Sequence, residues 1–187
     1  MFQTLVKSLS IDEFLKLPET KPACELIDGV VIAKPSPQGK HSTIQLDLGS
    51  SINLTLKPQR IARAYSELRC NIGDRSLIPD ISVFIWERIP RDRDGKVSNK
   101  FDIAPDWVVE ILSPDQNQTK VIRNILYCLD HGSEMGWLIV PDDEIVFVYF
   151  RDRTIAIFEN KSDILPVPLF AKDFQITLGD LFSWLEV

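Results

Sequence analysis

Residues 105–114 read Pro105-Asp106-Trp107-Val108-Val109-Glu110-Ile111-Leu112-Ser113-Pro114. Between an opening Pro-Asp and a closing Ser-Pro stand six residues, five of them apolar. That is the length of a short strand. Apolar residues on both parities of the alternation predict a strand covered on both faces. Glu110 breaks the pattern. In a strand, Val109 and Ile111 face one way while Val108, Glu110 and Leu112 face the other. An ionised carboxylate in that setting loses hydration worth several kcal/mol unless a cation or hydrogen-bond donors replace the water. Glu110 is therefore either salt-bridged or at a wet strand end, or it is a metal ligand or general base.

Outward from this strand the chain reads as an α/β domain. Ile81-Ser-Val-Phe-Ile-Trp86 is a second apolar strand, opened by Pro79-Asp80, and with 107–112 it is expected at the centre of the sheet. Ile122, Leu126 and Leu129 recur at helical spacing from Thr119, with Gly132 placed to stop that helix. The strand Gly136–Val140 follows, an arrangement that permits a parallel crossover. Further strands are expected over Glu144–Phe150 and Thr154–Phe158. Upstream, Asp28-Gly29 between the apolar runs of Cys24–Ala33 is a strong hairpin signal. Ile44, Leu48, Ile52 and Leu56 mark one face of a helix from about 41 to 57. The stretch from Ile61 to Ile72 alternates in part and reads as strand. Capping-box spacings at Ser10/Glu13 and Thr177/Asp180 announce a short helix over 11–17 and a last one over Leu181–Leu185. Residues 87–102 are charged, contain Pro90 and Gly95, and read as a mobile excursion, either a solvated loop or one whose Arg88, Arg91, Arg93, Lys96 and Lys100 contact a nucleic acid. There is no repeat and no long linker, so residues 1–187 form one domain.

Composition sets the outer limits. Apolar residues are 44 % of the 187 and charged residues 26 %, as in a folded globular chain. No apolar run approaches a membrane span, and Met1–Lys7 lacks the features of a signal peptide. Twenty-one basic against 27 acidic residues give a net charge of −6, which excludes a generic nucleic-acid coat but not an enzyme with local basic groups. Cys24, Cys70 and Cys128 are odd in number, far apart and without metal spacing, as expected of free thiols in a reducing cytoplasm.

Two more acids stand at strand positions. Asp80 opens strand 81–86; taken alone it is an ordinary turn aspartate, and Pro-Asp recurs at 105–106 and 141–142. Paired with Glu110 it offers two carboxylates that, with waters and a substrate phosphate, make a hard-cation site. Glu25 opens an apolar hairpin strand, where an exposed edge residue is the plainer alternative. His41 and His131 have no ligand spacing; His41 starts a helix and His131 ends one, where a cation is favoured. Phosphate-loop, dinucleotide, serine-hydrolase and zinc-protease motifs are all absent.

Together, Glu25-Leu-Ile-Asp-Gly-Val-Val-Ile32, Pro79-Asp80-Ile-Ser-Val83, the 105–114 stretch and Gly136-Trp-Leu-Ile-Val-Pro-Asp142 resemble the Uma family of restriction endonucleases, within the PD-(D/E)XK nuclease superfamily. The resemblance implies a restriction-endonuclease-like core, a mixed central β-sheet flanked by helices. It implies hydrolysis of DNA phosphodiesters with Mg2+ or Mn2+, DNA as partner, and a homodimer by analogy. Asp80 and Glu110 match the two metal-binding acids, and Glu25 the early acid of the site. The motif lysine has no counterpart at Leu112. Within the family it stands on the following helix, at a position that is Asn124 here, with Cys128 at the matching tyrosine position. Lys120, one turn earlier, is the expected substitute, with Arg123 adjacent to Asn124. The alternatives are a degenerate relative that binds nucleic acid or a protein without cutting, and a plain interaction domain with Glu110 salt-bridged.

Overall fold

The computed structural model describes residues 8–114 and 116–186, so the N-terminal stretch Met1–Lys7 lies outside the described residues. Helix α1 (Ile11–Phe14) starts at the expected capping box: Ser10 Oγ accepts from the Glu13 amide, and the Glu13 carboxylate accepts from the Ser10 amide. It is shorter than the expected 11–17 and gives way to turns before Pro18. Strands β1 (Cys24–Ile27) and β2 (Val30–Ala33) form the hairpin, with Asp28 at φ 51° and Gly29 at φ 77°. Two consecutive left-handed residues are what this tight turn demands, and Asp-Gly supplies them.

The region read as one strand, Ile61 to Ile72, is two strands in two sheets. β3 (Ala62–Ser66) is followed by Glu67 at φ 49°, which turns the chain out of register, and β4 (Cys70–Ile72) then pairs with β5 (Arg75–Leu77) across the Gly73-Asp74 turn. β5 pairs in turn with β1, completing a four-stranded sheet in the order β2-β1-β5-β4. The second sheet has six strands. β6 (Ile81–Ile85), β7 (Trp107–Ile111), β8 (Met135–Val140), β9 (Ile145–Phe150) and β10 (Ile155–Phe158) join β3 in the order β10-β9-β8-β7-β6-β3. The β7–β8 pair is parallel, joined through helix α3 (Gln118–Asp130), and the other pairs are antiparallel. Sequence and structure agree on this mixed sheet; β7 is central as expected, whereas β6 stands one strand in from the β3 edge, its residues largely buried, and β8 takes the other central place.

Helices cover both faces. On one, Ile44, Leu48, Ile52 and Leu56 of α2 (Gly39–Leu56) pack on Trp107, Val109, Ile111 and Trp137, with Leu181 and Phe182 of α4 (Leu178–Ser183) beside them. On the other, Val121, Ile125 and Leu129 of α3 pack on Phe84, Val108 and Leu138, with Ile72 and Leu77 of the smaller sheet. Burying each such side chain contributes about 1.5–3 kcal/mol. Gly136 on β8 permits the close approach of α3, since a Cβ there would lie 2.3 Å from Ile125 Cγ2. Helix α4 begins three residues earlier than expected because Thr177 is itself the N-cap. Among the described residues no helix is long and apolar enough to cross a membrane.

The segment expected as a mobile excursion is laced down at its ends. Ile89 is buried, and Phe101 lies against the Tyr65 and Phe84 rings with centroids 5.4 and 5.0 Å apart. Asn71 N donates to Phe101 O at 2.8 Å, and only the tip over residues 91–97 is continuously exposed. The segment follows the end of β6 and precedes the start of β7. Asp80 and Glu110 stand at the opposite ends of those strands, so the five cations are displaced from the acids by the strand length.

The Pro105-Asp106 pair is structural. Asp106 Oδ2 accepts from the Ile85 amide at 2.8 Å, and Oδ1 pairs with the Arg88 guanidinium. Replacing Asp106 by Ala leaves both partners short, and we expect the free energy of unfolding to fall by about 2 kcal/mol. Urea denaturation checks this, and an unchanged midpoint would contradict it.

Candidate active site

Strand register brings the two central acids together. Ile81 stands opposite Val109, so Asp80, one residue before β6, stands opposite Glu110 on the face toward α3. Asp80 is held from several sides. Its Oδ2 accepts from the Ile111 amide at 2.8 Å, and its backbone carbonyl accepts from Gln45 Nε2 at 2.8 Å. Its Oδ1 faces two groups that the sequence reading did not assign to the site: Lys34 Nζ at 2.7 Å and His41 Nε2 at 3.2 Å. Lys34 forms a charge-assisted contact with Oδ1, and His41 Nε2 lies within hydrogen-bond reach of the same oxygen. The other ring nitrogen of His41 lies 3.1 Å from Ser113 Oγ.

Glu25 and Lys34 approach from the hairpin. Glu25 Oε1 accepts from the Ile78 amide at 2.7 Å, while Lys34 Nζ donates to the Ile78 carbonyl at 2.5 Å. One peptide unit on each side of Ile78 is thus gripped by oppositely charged side chains from β1 and the end of β2. Glu25, Lys34, His41, Asp80 and Glu110 are all buried, Asp80 most of all at 1 % exposure. A cleft of about 230 Å³ opens onto this group, lined by Glu25, Ile32, Lys34, Glu110, Lys120 and Asn124. Asp80 is sealed behind it.

The sequence-expected site residues therefore fall as follows. Glu25, Asp80 and Glu110 come together. Lys120 stands exposed at the rim of the same cleft, one turn from Asn124. Asn124 is buried, with Oδ1 lacking any hydrogen-bond partner. His131 lies apart, stacked on Tyr127 with its Nδ1 2.8 Å from the Tyr127 carbonyl oxygen.

Electrostatics divide the acids. Burial pushes Glu110 well above the usual carboxylate range, and the Asp80 charge adds to this against the opposing pull of Lys34. Burial likewise raises Glu25, partly offset by the Ile78 amide and Lys34. Burial works against ionised Asp80 too, but Lys34 and His41 outweigh it and hold Asp80 at about 2. Crowding alone predicts that all three acids are raised; Asp80 departs from that because its cations come from elsewhere in the chain. Burial also works against the charged form of Lys34, yet Asp80, Glu110 and Glu25 overcome it and keep its ammonium protonated.

This donor set fits a divalent cation on charge and on ligand chemistry. Three carboxylates against one ammonium leave a surplus of two negative charges when all are ionised. Among the described residues no three His, Cys, Asp or Glu side chains close around a common metal position. Lys34 stands on Asp80 instead.

The sequence matches the Uma2 family, described as "Putative restriction endonuclease", over residues 11–179. Among solved structures it resembles the crystal structure of "a putative nuclease belonging to DUF820 from Anabaena variabilis ATCC 29413", with a TM-score of 0.93 and 59 % identity, over 95 % of this chain and 99 % of that one. A search of curated proteins finds no match.

The opposite shifts of Glu110 and Asp80 predict opposite effects on stability when metal is chelated. A raised carboxyl opposes folding once the pH passes its ordinary value of 4.5, so Glu110→Gln should melt higher than the native chain at pH 7 and level with it below 4.5. A lowered carboxylate stabilises above its ordinary 3.8 and loses that contribution as pH falls toward about 2. Asp80→Asn should therefore cost about 2 kcal/mol at pH 7. Thermal melts across pH check both, and a Glu110→Gln protein melting lower at pH 7 would contradict the assignment.

Proposed function

This chain belongs to the Uma2 family, and from that premise we propose that it is a divalent-metal-dependent endonuclease acting on DNA phosphodiesters. The observation that carries the proposal is the Asp80–Glu110 pair, opposed across β6 and β7, with Glu110 lining a cleft and Asp80 directly behind it. Asp80 and Glu110 would hold Mg2+ or Mn2+, with Glu25 joining directly or through water. When bound, the ion supplies an activated water and offsets charge on the phosphate.

The protein's own groups prepare for this. The Ile111 amide fixes the rotation of the Asp80 carboxyl, leaving Oδ1 turned inward. Burial raises the Glu110 carboxyl, and positive charge entering the cleft acts the other way, favouring its ionised form. Glu25 and Lys34 clamp Ile78 and thereby position Asp80 two residues on. Lys120 at the rim is placed to meet the incoming phosphate backbone. With a net charge of −6, attraction to DNA must be local to such groups. The three free thiols suit a reducing cytoplasm.

One observation favours a second reading. Asn124 stands where the family resemblance places a lysine, and an amide cannot offset charge on phosphorus. A relative that binds nucleic acid or a protein without cutting would show that substitution.

Incubation with supercoiled DNA and Mn2+ decides between them. We expect nicking that a chelator abolishes, and a loss of roughly a hundredfold or more in Glu110→Gln, judged by single electrostatic groups elsewhere. Lys120→Ala should weaken DNA binding and lower the slope of its salt dependence by about one. Metal and DNA binding without nicking would support the second reading, and nicking that survives Asp80→Asn would overturn the nuclease assignment. A homodimer is part of the proposal by superfamily analogy. A solution mass twice the chain's 21.3 kDa checks it, and the mass of one chain would remove it.

A further inference from the structure

We propose that Lys34 is the catalytic cation of this site, serving from the end of β2 the role that the family resemblance gives to position 124, and that it occupies Asp80 until a divalent ion displaces it. The inference rests on the nuclease reading and names the residue that completes it.

Four observations carry it. Lys34 ends a hairpin strand and precedes Pro35, a place where a lysine ordinarily points to solvent, yet it is buried and its ammonium is 2.7 Å from Asp80 Oδ1. Its backbone is fixed, because Lys34 N donates to Ala23 O at 2.8 Å, so the chain delivers this ammonium to the acids by construction. Asn124 lines the same cleft from α3 with a buried, unpartnered Oδ1 and no charge to offer. Finally, Lys34 separates two hollows. One is the cleft holding Glu110, and the other, of about 150 Å³, is lined by Pro22, Ala23, Pro35, Glu67 and Ile78. Lys34 lines both hollows, so a change of its side-chain rotamer toward either would take the ammonium off Asp80.

An ammonium 2.7 Å from Asp80 Oδ1 opposes a divalent ion at the same oxygen. Two cations compete for one oxygen, so removing Lys34 should tighten metal binding. In the loaded site the displaced ammonium remains in the cleft on its four-carbon stem, beside the phosphate. A water oxygen then forms the new bond to phosphorus and gives up a proton to solvent. A bridging P–O bond breaks, and its oxygen takes a proton from solvent. Lys34 keeps its own proton throughout and offsets the charge on the non-bridging oxygens.

The test compares native protein, Lys34→Met and Lys34→Met with Asn124→Lys, each checked for folding by circular dichroism. Lys34→Gln, which keeps a donor for the Ile78 carbonyl, is the second variant if Lys34→Met does not fold. Mn2+ affinity is read by the electron paramagnetic resonance of free Mn2+, and cleavage by single turnover. Loss of the ammonium should tighten Mn2+ binding by about tenfold. It should slow cleavage by about a hundredfold. Adding Asn124→Lys should recover at least about a tenth of native cleavage by returning a charge to the helix position. Mn2+ affinity within twofold of native, or cleavage at the native rate, overturns the Lys34 assignment and leaves the nuclease reading standing. Failure of the native and variant proteins alike to bind Mn2+ or to cut overturns both.

Discussion

The carboxylate of Asp80 is the point where the rest of the structure meets. Through Oδ2 it binds the Ile111 amide on β7, and through Oδ1 it faces Lys34 from the hairpin and His41 from α2. Its own carbonyl accepts from Gln45 of α2 and from the Glu67 amide at 3.2 Å, where the chain leaves one sheet for the other. An unpaired carboxylate so deeply buried would be strongly destabilising. The smaller sheet, the large sheet and α2 must all arrive in register before that charge is satisfied, so Asp80 adds an electrostatic coupling to the apolar packing between the two sheets.

The same residues make the site a source of strain. Lys34 and His41 hold Asp80 ionised, but Lys34 does not offset burial at Glu110 and Glu25 as well. A sequence selected for stability alone would place an amide or an aliphatic side chain at position 110, as it does at 108 and 112 on the same face. Retaining an acid there costs stability, and a buried group that opposes folding calls for a functional explanation. Protonation relieves such a carboxyl at a cost in acidity, and a cation entering the cleft relieves it in its ionised form, which is that explanation.

How far this was legible depends on where each residue's partner lies. The Asp28-Gly29 turn and both capping boxes are local, with every partner within three residues, and each is found where its residue types point. Glu110 is legible from strand parity alone. The break between β3 and β4 is not, because both halves alternate alike and the choice of sheet is set by β5 pairing with β1, Leu26 opposite Ser76. Lys34 was missed for the same reason. Its burial is decided by acids at 25, 80 and 110, and nothing beside it in the chain signals a buried ammonium. Charge accounting could have found it: three acids in apolar strands require a cation, and spacing rules searched for that cation only on the helix after Glu110.

The two Pro-Asp pairs show what separates a structural carboxylate from a functional one. β6 and β7 run antiparallel, and each is preceded by an aspartate that accepts the backbone amide near the end of the other, Asp80 from Ile111 and Asp106 from Ile85, both at 2.8 Å. Each also has a cation, Lys34 for Asp80 and Arg88 for Asp106. The strand pair is nearly symmetric about its centre in these contacts. It differs in the residue opposite. Continuing the register places Phe84 across from Asp106 and Glu110 across from Asp80. At the Asp106 end one acid meets one cation and an aromatic ring, and the charge is closed. At the Asp80 end the opposing acid leaves the charge open toward a cleft. The local motif is thus a device for tying two strands together, and the cross-strand partner converts one copy of it into a site.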